Sequence, residues 1–207
     1  MLISFITEYP FVLAFILGLI PALVWLWFWL KEEEKKPEPA RLITGVFVFG
    51  MITVILVVPI EKFLRTIVSS DTGEIIIWAL AEEVIKCLAV LVVLYKNSEI
   101  DQPVDWPIYF VTIGLGFAAL ENTLFLINPL AVGSDTVTLL TGGLRFLGST
   151  LLHAVSSGLI GISLGLSFYM GKIRKKLYLL IGKILQKGLK RLSLFCISTT
   201  LHRFVIG

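Results

Sequence analysis

Charge is what this chain has least of. Only 16% of its 207 residues are Asp, Glu, Lys or Arg, against about 25% in a soluble domain. Cysteine occurs twice, at Cys87 and Cys196, both inside apolar runs. That placement argues for packing and against a disulfide framework or a CxxC metal site. Histidine also occurs twice, and HExxH is absent, so the common helical zinc-protease motif does not apply. No basic segment precedes the first apolar run and no small-residue cleavage site follows it, so residues 11–30 are expected to be a retained span and not a signal peptide. Internal repeats are missing as well. The net charge of +3 comes from basic residues in loops beside apolar runs, so no nucleic-acid partner is expected.

What the chain has is apolar surface: 57% hydrophobic residues and a mean hydropathy of +0.91. Runs near 20 residues recur at 11–30, 42–60, 75–95, 106–128, 146–169 and 192–206. Each is about long enough to cross ~30 Å of hydrocarbon at ~1.5 Å per residue. The expected fold is an all-α, polytopic transmembrane helix bundle of about six spans, with residues 1–207 as one domain in a lipid bilayer. Span one ends in the aromatic belt WLWFWL. Residues 31–41, KEEEKKPEPAR, read as a short solvated loop whose prolines stop a helix and whose glutamates serve solubility. The pattern from Thr136 to Met170 is too long for one straight span. Gly142 and Gly143 are its natural break, making 136–143 an interfacial or re-entrant piece. Residues 172–191 read as a basic loop or an amphipathic surface helix.

Loop charge sets an expected orientation. Thirteen Lys and Arg fall in 31–41, 96–105 and 171–191, and two in 61–73 and 129–136. By the positive-inside rule the first set is cytoplasmic and both termini are extracytoplasmic.

Against this background the polar residues within spans stand out, because charge at membrane depth is costly and normally faces a protein interior or a cavity. WALAEEVIKCLAVLVVL, residues 78–94, carries Glu82, Glu83 and Lys86, with Glu82 and Lys86 one turn apart on one helix face. GLGFAALENTLF aligns Phe117 with Glu121, followed by Asn122. RFLGSTLLHAVSSGLIG places His153, Ser157 and Gly161 on one stripe behind Arg145, and small residues in such a stripe ordinarily make helix–helix contacts. Counting helix rise from the run boundaries puts Glu82, Glu121 and His153 in one layer, roughly 10–12 Å below the outer face, with His202 in the same half of the last span. Lys86 and Arg145 are expected to neutralise carboxylates there. Such a cluster can activate water through a glutamate base with a histidine partner. Alternatively Glu121, His153 and His202 can hold Zn²⁺ with an open position for water, leaving another glutamate as base. The same residues can also carry protons or a cation.

At these residues the chain resembles the PrsW family of intramembrane proteases, which are distantly related to the CAAX prenyl endoproteases and bacteriocin-processing enzymes. Glu82-Glu83-Val84-Ile85-Lys86 is similar to the family's EExxK motif, and Phe117 to Glu121 with Asn122 to its FxxxEN motif. Arg145 with His153 is similar to the third motif, and His202 falls where a last-helix histidine is expected, although LHRFVIG departs from the usual pattern around it. The resemblance implies cleavage of a membrane-anchored protein, of the anti-sigma-factor site-1 type, near the outer face of a prokaryotic cell membrane. It leaves metallo- and glutamic-type chemistry both open. The assignment that follows makes Glu82 the general base, Glu83 an orienting carboxylate, and Glu121 and His153 the rest of the water or metal site. His202 is third ligand or oxyanion helper, and Ser157 a donor to the tetrahedral intermediate. Phe117, Asn122, Lys86 and Arg145 support them. The rival readings are a non-catalytic membrane scaffold of the same fold and a proton- or cation-coupled transporter.

Overall fold

A chain whose helices cannot find water for their backbone groups must satisfy them internally, and the described chain is helical nearly throughout. The computed structural model describes residues 9–31, 37–94, 100 and 102–205, with the backbone alone at 135, 174, 177–178, 181–182, 184–186 and 188–205. In chain order the helices are α1 (Pro10–Lys31), α2 (Ala40–Arg65), α3 (Asp71–Leu94), α4 (Asp105–Ala131), α5 (Asp135–Leu144) and α6 (Thr150–Val205). A π turn, Arg145–Ser149, joins α5 to α6. No strand occurs among the described residues.

Among the described residues, four stretches are long and apolar enough to cross a membrane: Pro10–Lys31, Ala40–Arg65, Asp105–Ala131 and Thr136–Ile173. The fifth long helix, α3, has 24 residues but carries Asp71, Glu74, Glu82, Glu83 and Lys86. The span expected at 192–206 lies where side chains, including those of Cys196 and His202, are outside the described residues. The chain divides into two compact units, Met1–Gly165 and Leu166–Gly207. In the second, Lys172 Nζ stands 4.6 Å from the Phe168 ring centroid.

Within the first unit α4 is the central element. Sixteen of its residues are buried, from Asp105 to Leu130, on every side of the helix, the pattern of a helix enclosed by others. Close approach is made possible by glycines that face backbone. A Cβ on Gly50 of α2 would collide with the Ile113 carbonyl of α4, and one on Gly116 of α4 with the Phe47 carbonyl of α2. This reciprocal pair locks α2 to α4 at backbone contact. Gly18 of α1 is likewise pressed against Thr123 and Ala119. The outward faces are apolar instead of polar: Ile55 is 65% exposed, Val92 67% and Leu152 65%. That inverted pattern suits a hydrocarbon solvent.

Two local expectations change. The polypeptide does not break at Gly142-Gly143; α5 continues through Leu144, and the irregularity is the π turn just after it. Its physical cause is a hydrogen-bond exchange in which Thr150 Oγ1 donates to the Arg145 carbonyl at 2.8 Å, while Asn122 Nδ2 of α4 donates to that same hydroxyl at 2.9 Å. The glutamates of the 31–41 loop are not all solvating, because Glu38 accepts a hydrogen bond from the buried Tyr109 hydroxyl.

Candidate active site

Helix directions bring the charged residues together. In a helix each side chain leans toward the N-terminal end. Helices α4 and α6 run antiparallel, with Gly114 against the His153 carbonyl and Gly161 against Pro107. His153 therefore leans toward the α4–α5 end while Glu121 leans away from it, and the two meet: His153 Nε2 lies 3.0 Å from Glu121 Oε2. The small-residue stripe of His153, Ser157 and Gly161 thus makes the expected helix contact. A Cβ on Gly114 would stand only 2.8 Å from both the His153 carbonyl oxygen and Ser157 Oγ.

The π turn supplies the next layer. It widens the helix by one residue, which is a common device at functional sites. Arg145 here pairs with Glu121 through Nη2, donates from Nε to Asn122 Oδ1 at 2.6 Å, and reaches Ser149 Oγ at 3.1 Å. Its guanidinium carbon stacks 3.9 Å from the Phe125 ring centroid. Asn122 spends its amide nitrogen on Thr150, so it is a strut between α4 and the π turn.

Helix α3 adds two carboxylates and an ammonium. Lys86 is 0% exposed. Its Nζ lies 2.6 Å from Glu83 Oε1, 3.0 Å from His153 Nδ1 and 3.7 Å from Glu82 Oε2, and 4.5 Å from the Phe117 ring centroid. Phe117 also packs 5.2 Å from the His153 ring, forming the apolar wall of the cluster. Since an ammonium can only donate, His153 Nδ1 accepts from Lys86 and the ring proton sits on Nε2, where it donates to Glu121. Glu83 accepts additionally from Ser156 Oγ at 2.8 Å and Ser157 Oγ at 3.3 Å. Ser157 is thereby committed to Glu83 and is not a free donor for an intermediate. Glu82 is held more loosely, with His153 Nδ1 and Lys86 Nζ both at 3.7 Å.

Reading the sequence missed two of these participants. Ser156 sits three residues after His153, a spacing that shares its helix face as well as the i+4 position of Ser157 does. Ser149 lies within the π turn, which no sequence pattern announced. Glu61, expected in a loop because the apolar run ends at Ile60, is helical, since α2 continues to Arg65. Counted from Asp71, Ala131 and Asp135, the residues Glu82, Glu121 and Arg145 each lie about 15 Å along their helices.

Whether this donor set fits a divalent cation is a question of free lone pairs. Both nitrogens of His153 are already engaged, Glu121 is paired with Arg145, and the buried ammonium of Lys86 occupies the space between Glu82, Glu83 and His153. No group of three or more His, Cys, Asp or Glu side chains converges in a metal-binding geometry among the described residues. The arrangement therefore does not fit a metal ion without displacement of Lys86. His202, the remaining expected ligand, lies outside the described side chains.

Comparisons with known proteins agree with the membrane setting. Residues 38–187, which include every site residue described above, match the PrsW-protease family, described as PrsW family intramembrane metalloprotease. Protease PrsW of Geobacillus kaustophilus is 31% identical over 175 residues, covering 81% of this chain and 72% of the relative. Protease PrsW of Oceanobacillus iheyensis is 32% identical over 165 residues, covering 76% and 67%, and that of Bacillus subtilis 27% identical over 164, covering 76% and 67%. No solved structure matches. With apolar helices of membrane-spanning length, a buried Glu/His/Lys/Arg cluster inside them and this extent of similarity, the chain belongs to the PrsW family and is an intramembrane protease.

Proposed function

We propose that the cluster hydrolyses a peptide bond of a membrane-anchored protein, with Glu82 as general base. The observation that carries this reading is the unequal way the three glutamates are held. Glu83 is fixed by Lys86 and two serines, and Glu121 by Arg145, Ser149 and His153. Glu82 has Lys86 Nζ and His153 Nδ1 only at 3.7 Å, which leaves a carboxylate oxygen able to take a proton. In the proposed step Glu82 removes a proton from water, the water oxygen bonds to the peptide carbonyl carbon, and the proton passes to the leaving nitrogen as the C–N bond breaks. Lys86, 3.7 Å from Glu82, is the cation that offsets the negative charge developing on the carbonyl oxygen in this reading. His153 orients the site through its bonds to Glu121 and Lys86, and Glu83 anchors Lys86 from the other side.

The setting we propose is a single membrane domain of about six spans in the bacterial cell membrane, with α3 crossing the bilayer because its charges face α4 and α6. Both termini are extracytoplasmic in this reading and the cluster lies in the outer half, the side from which a site-1-type cleavage of an anti-sigma factor would occur. His202 takes no part in the steps above.

The test uses the full chain in detergent with a membrane-anchored reporter substrate. Glu82→Gln and His153→Ala should each lose cleavage while retaining folded expression, and cleavage by the wild type should persist in chelator with substoichiometric zinc. Undiminished cleavage by both variants refutes the base assignment. Near-stoichiometric zinc with chelator-sensitive turnover would show that Lys86 is displaced from the place described and that the histidines are ligands.

A further inference from the structure

We propose that the outward face of α2 holds one anionic phospholipid, with its phosphate group on Arg41 and Thr44 and an acyl chain along Gly45, Val48, Phe49 and Ile52. None of these residues belongs to the carboxylate cluster, so the site stands whichever glutamate is the base.

Helix α2 packs inward through Ile43, Val46, Phe47 and Gly50. On its other side a groove of about 630 Å³ runs from Arg41 and Thr44 past Gly45 to Ile52, within the ~300–1,000 Å³ common for small-molecule sites. The groove is open at Gly45, which is exposed and where a Cβ would meet nothing within 4 Å. Beyond it, Val48 is 47% exposed and Ile52 44%. From Arg41 to Ile52 the helix rises ~16 Å, about half of a ~30 Å hydrocarbon layer. The groove therefore spans one leaflet, the depth of one acyl chain.

The two ends of the groove differ in chemistry. Val48, Phe49 and Ile52 offer only hydrocarbon, whereas Arg41 and Thr44 offer donors that the fold does not use. Arg41 is exposed and makes no ion pair or hydrogen bond among the described residues. Glu38, three residues before it, is already engaged by the Tyr109 hydroxyl. Threonines elsewhere turn back on their own helix: Thr53, Thr112 and Thr123 Oγ1 donate to the carbonyls of Gly50, Ile108 and Ala119 at 2.6, 2.7 and 2.8 Å. Thr44 makes no such bond among the described residues. Arg41 and Thr44 are three residues apart and so share a helix face. A guanidinium binds phosphate oxygens through its planar fork, and a hydroxyl beside it adds a donor. Donors at one end and hydrocarbon along the rest select an amphipathic ligand with an acidic head. In the orientation proposed above, Arg41 lies at the cytoplasmic leaflet, which carries the anionic lipids.

The test uses the full chain in mild detergent, mixed with equimolar phosphatidylglycerol and phosphatidylcholine of matched chains. Native mass spectrometry counts bound lipids and subunits together. The expected result is one retained phosphatidylglycerol per chain, favoured about fivefold over phosphatidylcholine, the attraction of one basic residue for an anionic headgroup. Arg41→Gln should abolish that preference, and Thr44→Val should weaken it. Gly45→Trp, whose Cβ meets nothing within 4 Å, fills the groove and should lower retention of both lipids. All three substitutions leave the packed side of α2 untouched, and any one that fails to fold leaves the other two to decide. Equal retention of the two lipids by the wild type overturns the proposal. So does a preference that survives both Arg41→Gln and Thr44→Val, or displacement of the lipid by glycerol phosphate, which would mark an anion site without a tail. A lipid-free wild-type dimer that Gly45→Trp splits would assign the groove to a second copy of the chain instead.

Discussion

Lys86→Met is the sharpest test of how the cluster is held together. The ammonium is wholly buried and contacts Glu83, His153 and, more loosely, Glu82, with the Phe117 ring beneath it. Methionine matches its length but leaves Glu83 with only two serine donors for a full negative charge and leaves His153 Nδ1 without its donor. Removing one partner of a buried pair ordinarily costs about 3–5 kcal/mol. Because the Glu83 side chain keeps 22% exposure, the lower end applies, about 3 kcal/mol. Most of that cost is the stranded carboxylate, so Glu83→Gln in the Lys86→Met background should recover a large part of it, giving a coupling of about 2 kcal/mol in the double-mutant cycle. Reversible unfolding in mixed micelles, followed by tryptophan fluorescence, measures all four proteins. The double mutant should remain inactive, since the charge near the reacting carbonyl is gone. A Lys86→Met protein within about 0.5 kcal/mol of wild type, or a cycle with no coupling, would refute the claim that this ammonium neutralises the site.

Two further perturbations address the helix contacts. Gly114→Ala forces a Cβ to 2.8 Å from the His153 carbonyl oxygen and Ser157 Oγ, so α6 must shift away from α4. A loss of about 1–3 kcal/mol is expected from overpacking, together with a fall in kcat as His153 separates from Glu121. Unchanged cleavage would show that the α4–α6 spacing does not set the site. Arg145→Lys keeps the charge but cannot address Glu121, Asn122 and Ser149 together, because an ammonium lacks the planar fork of guanidinium. Its kcat should drop at least tenfold with little change in expression, and retention of wild-type turnover would assign Arg145 a purely electrostatic role.

The sequence by itself determined the solvent and the cast of residues. Low charge and long apolar runs dictate helices in hydrocarbon, and the cost of charge there singles out Glu82, Glu83, Lys86, Glu121, Arg145 and His153. Periodicity also placed Ser157 and Gly161 at a helix contact, where Gly161 lies against Pro107. Only the tertiary structure decided which side chain faces which. Apolar-run boundaries do not mark helix ends, so Glu61 passed for a loop residue when α2 extends to Arg65. The π turn came from a three-way exchange among Arg145, Thr150 and Asn122, and Asn122 lies 23 residues from Arg145, beyond the reach of any local pattern. Ser157 is committed to Glu83, and Glu38 to Tyr109, for the same reason. Residue type and spacing set what a side chain can offer; the partner that accepts it is fixed by helix register and lean.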